Sequence, residues 1–123
     1  MNMATTTADH DYDDMARRAW RDSARLYRYG RKLIAEAEQF EFLAETARLN
    51  AAWVETRASE FPPGTADASR ENAEAWTRHA VACRKTAPEY KYFGRSAAAV
   101  ARRYEHLAVI AARDDYGHFP GGW

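Results

Sequence analysis

The chain has 123 residues, enough for one domain around one modest core. Its 18 bases balance its 18 acids, which excludes an overall attraction to nucleic acid or anionic membranes and leaves only local patches for such partners. A single cysteine, Cys83, excludes an internal disulfide and a Cys-based metal site, and no apolar run is long enough to span a bilayer. With no apolar leader segment, the expected location is cytoplasmic, by elimination.

Residues 1–10 read as a flexible tail of small polar residues. Asp9 and Asp11 suit helix N-caps, and the acidic run to Asp14 suits the positive end of a helix dipole. A first helix is predicted from about Asp11 to Glu60. Across it, alternating steps of four and three residues land on Tyr12, Ala16, Ala19, Ser23, Leu26, Gly30, Leu33, Ala37, Phe40, Ala44, Ala47, Ala51, Val54, Ala58 and Phe61. No charge falls on any rung, so one stripe of the helix is small and apolar throughout. Gly30 predicts a bend or a close helix contact.

Phe61-Pro62-Pro63-Gly64 predicts a stop and a turn. Thr65, Asp67 and Ser69 are candidate caps for a second helix running to about Lys85. Thr86-Ala87-Pro88-Glu89 reads as a capping box, with Pro in the first turn of a third helix, or as a sharp kink. That helix is predicted to end near Arg113, leaving residues 115–123 as a non-helical tail. The same ladder continues on Ala73, Trp76, Ala80, Cys83, Ala87, Tyr90, Gly94, Ala97, Ala101, Tyr104, Ala108 and Ala111. Cys83 on this ladder reads as a buried, inert thiol.

Most large side chains sit beside the ladder: Trp20, Tyr27, Ile34, Leu43, Trp53, Phe93, Val100, Leu107 and Ile110. A hairpin buries only one stripe per helix, so this second stripe must meet another helix, from this chain or a partner. The fold class is therefore all-α. The expectation is a single antiparallel bundle of three helices, or four if the first breaks near Gly30, with alanine-rich seams.

The charges are segregated along the chain. Residues 15–32 hold seven bases and one acid, residues 33–74 nine acids and three bases, and residues 75–113 eight bases and two acids. Antiparallel folding about the turn would bring the bases of both arms together at the end holding the termini, making the molecule an electric dipole. Arg18, Arg21, Arg25, Arg28 and Lys32 share one helix face by their spacing. Trp20, Tyr27, Tyr29 and Tyr104 interleave with the basic residues. Arginine and aromatic residues anchor protein interfaces, and the same pair of residue types binds single-stranded nucleic acid.

Chemistry is harder to find. No Glu-x-x-His pair supports a di-iron centre, and no phosphate loop or nucleophile elbow is present. Asp9, His10, Asp11, Asp13 and Asp14 would approach Asp114, Asp115 and His118 in a hairpin, a set able to hold a divalent cation, although capping explains the first group. Arg113-Asp114-Asp115-Tyr116-Gly117-His118 forms an R-x4-H string that resembles the motif of HEPN-family ribonucleases, which are small helical bundles. That resemblance covers six residues. It implies His118 as acid/base and Arg113 as phosphate stabiliser, whereas Gly117 and Pro120 depart from the family's helical setting for the motif.

The favoured reading is a non-enzymatic protein-binding module, an adaptor, inhibitor or assembly factor, without cofactor, metal or small-molecule substrate. Its partner-binding residues would be Trp20, Arg21, Arg25, Tyr27 and Arg28, with Arg102 and Arg103 opposite. It would bind another protein, itself, or both. The alternative is a nucleic-acid-binding regulator using the same residues, and a HEPN-like ribonuclease ranks below both.

Overall fold

The computed structural model describes residues 3–117, and the side chains of residues 11–113. Among the described residues there is no strand. The chain forms two long helices packed against each other, α1 (Met3–Glu55) and α2 (Thr65–Gly117), with a 3-10 turn at Ala58–Glu60 between them. The all-α class holds. The third and fourth helices expected from Thr86–Pro88 and Gly30 do not form.

Packing overrides both expected breaks. Gly30 is buried inside an unbroken α1. Pro88 lies within α2 and removes one helical N–H, but Ala87 beside it is buried in the interhelical seam, which holds the helix through the defect. The Thr86 hydroxyl does not cap; it donates to the Ala82 carbonyl at 2.9 Å, a bond made in mid-helix.

The ends differ from expectation as well. α1 begins at Met3, so Asp9 and Asp11 lie within the helix; residues 4–8 are only Ala and Thr and contain no breaker. α2 runs on to Gly117, because glycine weakens a helix without forbidding it. At the turn, α1 stops at Glu55, five residues early. The Thr56 hydroxyl donates to the Trp53 carbonyl at 2.7 Å, and the Phe61 ring meets Trp53 edge-on. Gly64 takes a φ of 87°, a conformation open to glycine, and its carbonyl accepts the Ala68 N–H at 2.9 Å. None of the three cap candidates caps α2: Thr65 bonds back to the Pro62 carbonyl, Asp67 pairs with Arg70, and buried Ser69 accepts from Asn50.

The packing divides into two compact units. Unit 1 combines the chain up to Arg28 with the chain from Tyr90 on; unit 2 is Tyr29–Glu89. Each is an antiparallel helix pair. In unit 1 the Ser23 hydroxyl donates to the Gly94 carbonyl at 2.8 Å, and Tyr12 stacks on Tyr104. In unit 2 Phe40 stacks on Trp76 with centroids 5.5 Å apart.

The predicted ladder is the buried seam. Every rung is buried or half-buried except Ala58. The rungs sort into two kinds. One heptad position, here a, holds only small residues: Ala16, Ser23, Gly30, Ala37, Ala44 and Ala51 in α1, and Ala73, Ala80, Ala87, Gly94, Ala101 and Ala108 in α2. The other, d, carries the larger rungs such as Leu26, Leu33, Phe40, Trp76 and Tyr104. A small residue every seven positions lets the backbones approach closely. It also leaves no large side chain fully buried among the described residues, so the seam removes little apolar area from water.

Candidate functional site

The flanks of the seam decide what each unit offers a partner. Residues at e, just after each d rung, form one edge. Cross-helix polar pairs close it: Trp20 Nε1 donates to Glu105 at 3.1 Å in unit 1, while in unit 2 Glu41 pairs with Arg84, Arg48 bonds Thr77 and Glu55 pairs with Arg70. The Arg84 guanidinium grips Glu41 with two bonds, of 2.8 and 2.6 Å. These bonds hold the Glu41 carboxyl below the usual carboxylate range and raise the Arg84 guanidinium. Arg17 is likewise raised, by its hydrogen bond to Asp14.

The opposite edge, at g just before each a rung, has no cross-helix ion pair among the described residues, although Asn50 at g in unit 2 donates across to Ser69 at 2.9 Å. In unit 1 it carries Met15, Asp22, Phe93, Val100 and Leu107; in unit 2 it carries Tyr29, Glu36, Leu43, Asn50, Asn72, His79 and Thr86. Phe93 is 50% exposed and Val100 46%. The second apolar stripe read from the sequence is therefore two stripes. Trp20, Tyr27 and Ile34 lie on the closed edge. Phe93, Val100, Leu107 and Leu43 lie on the open one, and Trp53 and Ile110 lie further out on the helix backs.

The proposed partner-binding residues all fall in unit 1. Trp20 is 39% exposed, with the Arg102 guanidinium 5.7 Å from its ring centre, so these two are brought together. Arg21, Arg25 and Arg28 are exposed on the outer side of α1, and Arg103 is exposed on α2. Arg18, Arg21, Arg25, Arg28, Arg95 and Arg103 have no ion-pair partner among the described residues. Tyr27 is only partly available: its ring lies over Gly94, where an added Cβ would sit 3.0 Å from Cδ2. The sequence reading left the open edge out of the site, although its signal was there. Phe93, Val100 and Leu107 recur every seven residues, each one place before a small rung.

Cys83 is half-buried, not buried. Among the described residues no group of three or more His, Cys, Asp and Glu could hold a metal. The side chains of Asp9, His10, Asp114, Asp115 and His118 lie outside the described residues, as do Phe119, Pro120 and Trp123. Arg113 is exposed, and its relation to His118 is likewise outside the described residues. No helix among the described residues is long and apolar enough to cross a membrane. No protein-family description, curated protein or solved structure matches the chain.

Proposed function

We propose that this chain is a non-enzymatic helical protein-binding module, an adaptor, inhibitor or assembly factor. The observation that supports this reading is the Arg102 guanidinium 5.7 Å from the exposed Trp20 ring, in a unit that also exposes Arg21, Arg25, Arg28 and Arg103. Among the described residues, Arg21, Arg25, Arg28 and Arg103 make no ion pair with a carboxylate, which leaves their guanidinium forks to an acidic partner surface. Tyr27 supports the face from within by filling the space over Gly94.

The alternative, a nucleic-acid-binding regulator, draws on the same groups, because guanidinium ions and aromatic rings also take phosphates and bases. A photo-crosslinking residue at exposed Ala24 separates the two in the native cell. Protein adducts that persist at raised salt and vanish in the Arg21→Glu/Arg25→Glu/Arg28→Glu variant support the module. Nucleic-acid adducts that fall steeply with salt overturn it in favour of the regulator. Adducts unaffected by the triple change would show that the face is misassigned.

A further inference from the structure

The back of α1 in unit 2 carries a second ladder. Steps of alternately four and three residues land on Ala35, Gln39, Phe42, Thr46, Leu49 and Trp53, all exposed and all uncharged. They lie on the side of α1 away from the seam, so α2 does not cover them. Phe42 is 71% exposed and Leu49 63%. The Thr46 hydroxyl donates to the Phe42 carbonyl at 2.9 Å, which turns its polar group back onto the helix. Ala35 leaves a shallow hollow of about 640 Å³ beside Phe42, with Glu38, Gln39 and Leu43 around it. An uncharged stripe at this spacing is the pattern of a helix-pairing seam.

The charges beside this ladder select its occupant. One flank carries Arg31, Glu38 and Glu45, the other Glu36 and Arg57, and Lys32 stands on the ladder's own line just before Ala35. The remaining charges of this stretch, Glu41, Arg48 and Glu55, belong to the closed edge. The internal seam supplies the geometry: Phe40 meets Trp76 within it, and Glu41 meets Arg84 beside it. The same spacing, applied to two antiparallel α1 helices centred on Phe42, sets Ala35 against Leu49, Gln39 against Thr46 and Lys32 against Trp53. It also sets Arg31 against Glu45 and Glu36 against Arg57, each twice. Glu45 already meets Arg48 at 3.4 Å and Arg57 meets Glu60 at 3.9 Å, both long, exposed contacts that leave room for a second partner. The like charges opposed are the two Glu38 side chains at the axis, each close enough to an Arg84 guanidinium to interact with it. A parallel pair would instead stack Lys32 on Lys32. A shift of seven residues either opposes Glu38 to Glu45 or shortens the contact.

We infer that the back of α1 in unit 2 is a self-association seam: two copies pack antiparallel along it, with the two-fold axis at Phe42. In each copy this part of α1 is then covered on both sides, by its own α2 and by α1 of the second copy. The surface goes beyond the protein-binding reading, whose Trp20 and arginine residues all lie in unit 1.

The test uses the full chain, with sedimentation, circular dichroism and oxidative crosslinking. The native protein is expected at twice 14.0 kDa. Phe42→Glu/Leu49→Glu is expected to weaken association at least about tenfold while keeping the helical signal, because both side chains are exposed. Direction is read in a Cys83→Ser background: Ala35→Cys mixed with Leu49→Cys should crosslink on oxidation, and neither should crosslink to itself. That arm keeps Phe42, so a folding defect in the glutamate variant does not hide the answer. A native chain that stays monomeric and helical at all concentrations overturns self-association. A dimer that survives both glutamates overturns the choice of surface. Ala35→Cys that links to its own copy overturns the antiparallel pairing. None of these results decides the Ala24 crosslinking test, so the two readings fail separately.

Discussion

At Gly94 the space a side chain would take is filled by the Tyr27 ring, and the glycine's carbonyl accepts the Ser23 hydroxyl. Two opposed effects meet there. Alanine favours a helix over glycine by about 1 kcal/mol, whereas overpacking costs about 1–3 kcal/mol. The contacting atoms include Cγ, at the root of the ring, so Tyr27 cannot yield by moving only its far end. Gly94→Ala should therefore destabilise by about 1 kcal/mol in urea melts at fixed protein concentration. In a Tyr27→Ala background the same substitution should stabilise, and an unchanged sign would show that the ring is not the obstacle. Glu41 gives a pH signature at the same scale. Arg84 holds its folded pKa below the unfolded value, so its contribution is present above the unfolded value and is lost as pH falls through the folded one. The difference in Tm between the native chain and Glu41→Gln should shrink as the pH drops below about 4. The pair is exposed, so raised salt should shrink it too.

For the helices, the test position is Pro88. A proline inside a helix costs about 3 kcal/mol or more, and α2 carries one beside the buried Ala87. Pro88→Ala should raise Tm and the stability in urea; a fall would show that the proline's geometry is part of the seam. This is also where the sequence reading and the structure part. The ladder from Tyr12 to Phe61 and from Ala73 to Ala111 was legible because a seven-residue spacing needs no knowledge of the partner helix. The continuity of α2 was not, since Thr86-Ala87-Pro88-Glu89 carries every local sign of a new N-terminus and only burial of Ala87 outweighs them. The two edges were illegible for a related reason. Trp20 and Phe93 look alike beside the ladder, and only the antiparallel pairing puts one by Glu105 and leaves the other open.

For the molecule as a whole, charge segregation is real but diluted. Unit 1 holds ten bases and eight acids, and unit 2 eight bases and ten acids. The expected gathering of Arg17–Arg28 with Arg95–Arg113 in one unit is present. The acids of residues 9–14 and 114–115 offset much of it.

The run of small a-layers has one more consequence. A repeat of near-identical layers is degenerate: sliding one helix by seven residues would lay alanine on alanine again at almost no steric cost. What pins the alignment must be the layers that do not repeat, above all the Phe40–Trp76 stack and the Ser23 bond to Gly94. Shaving Phe40 and Trp76 to alanine together should therefore cost conformational uniqueness before it costs helicity. Circular dichroism would stay helical while backbone NMR peaks multiply or broaden, and a single sharp set would place the alignment signal elsewhere.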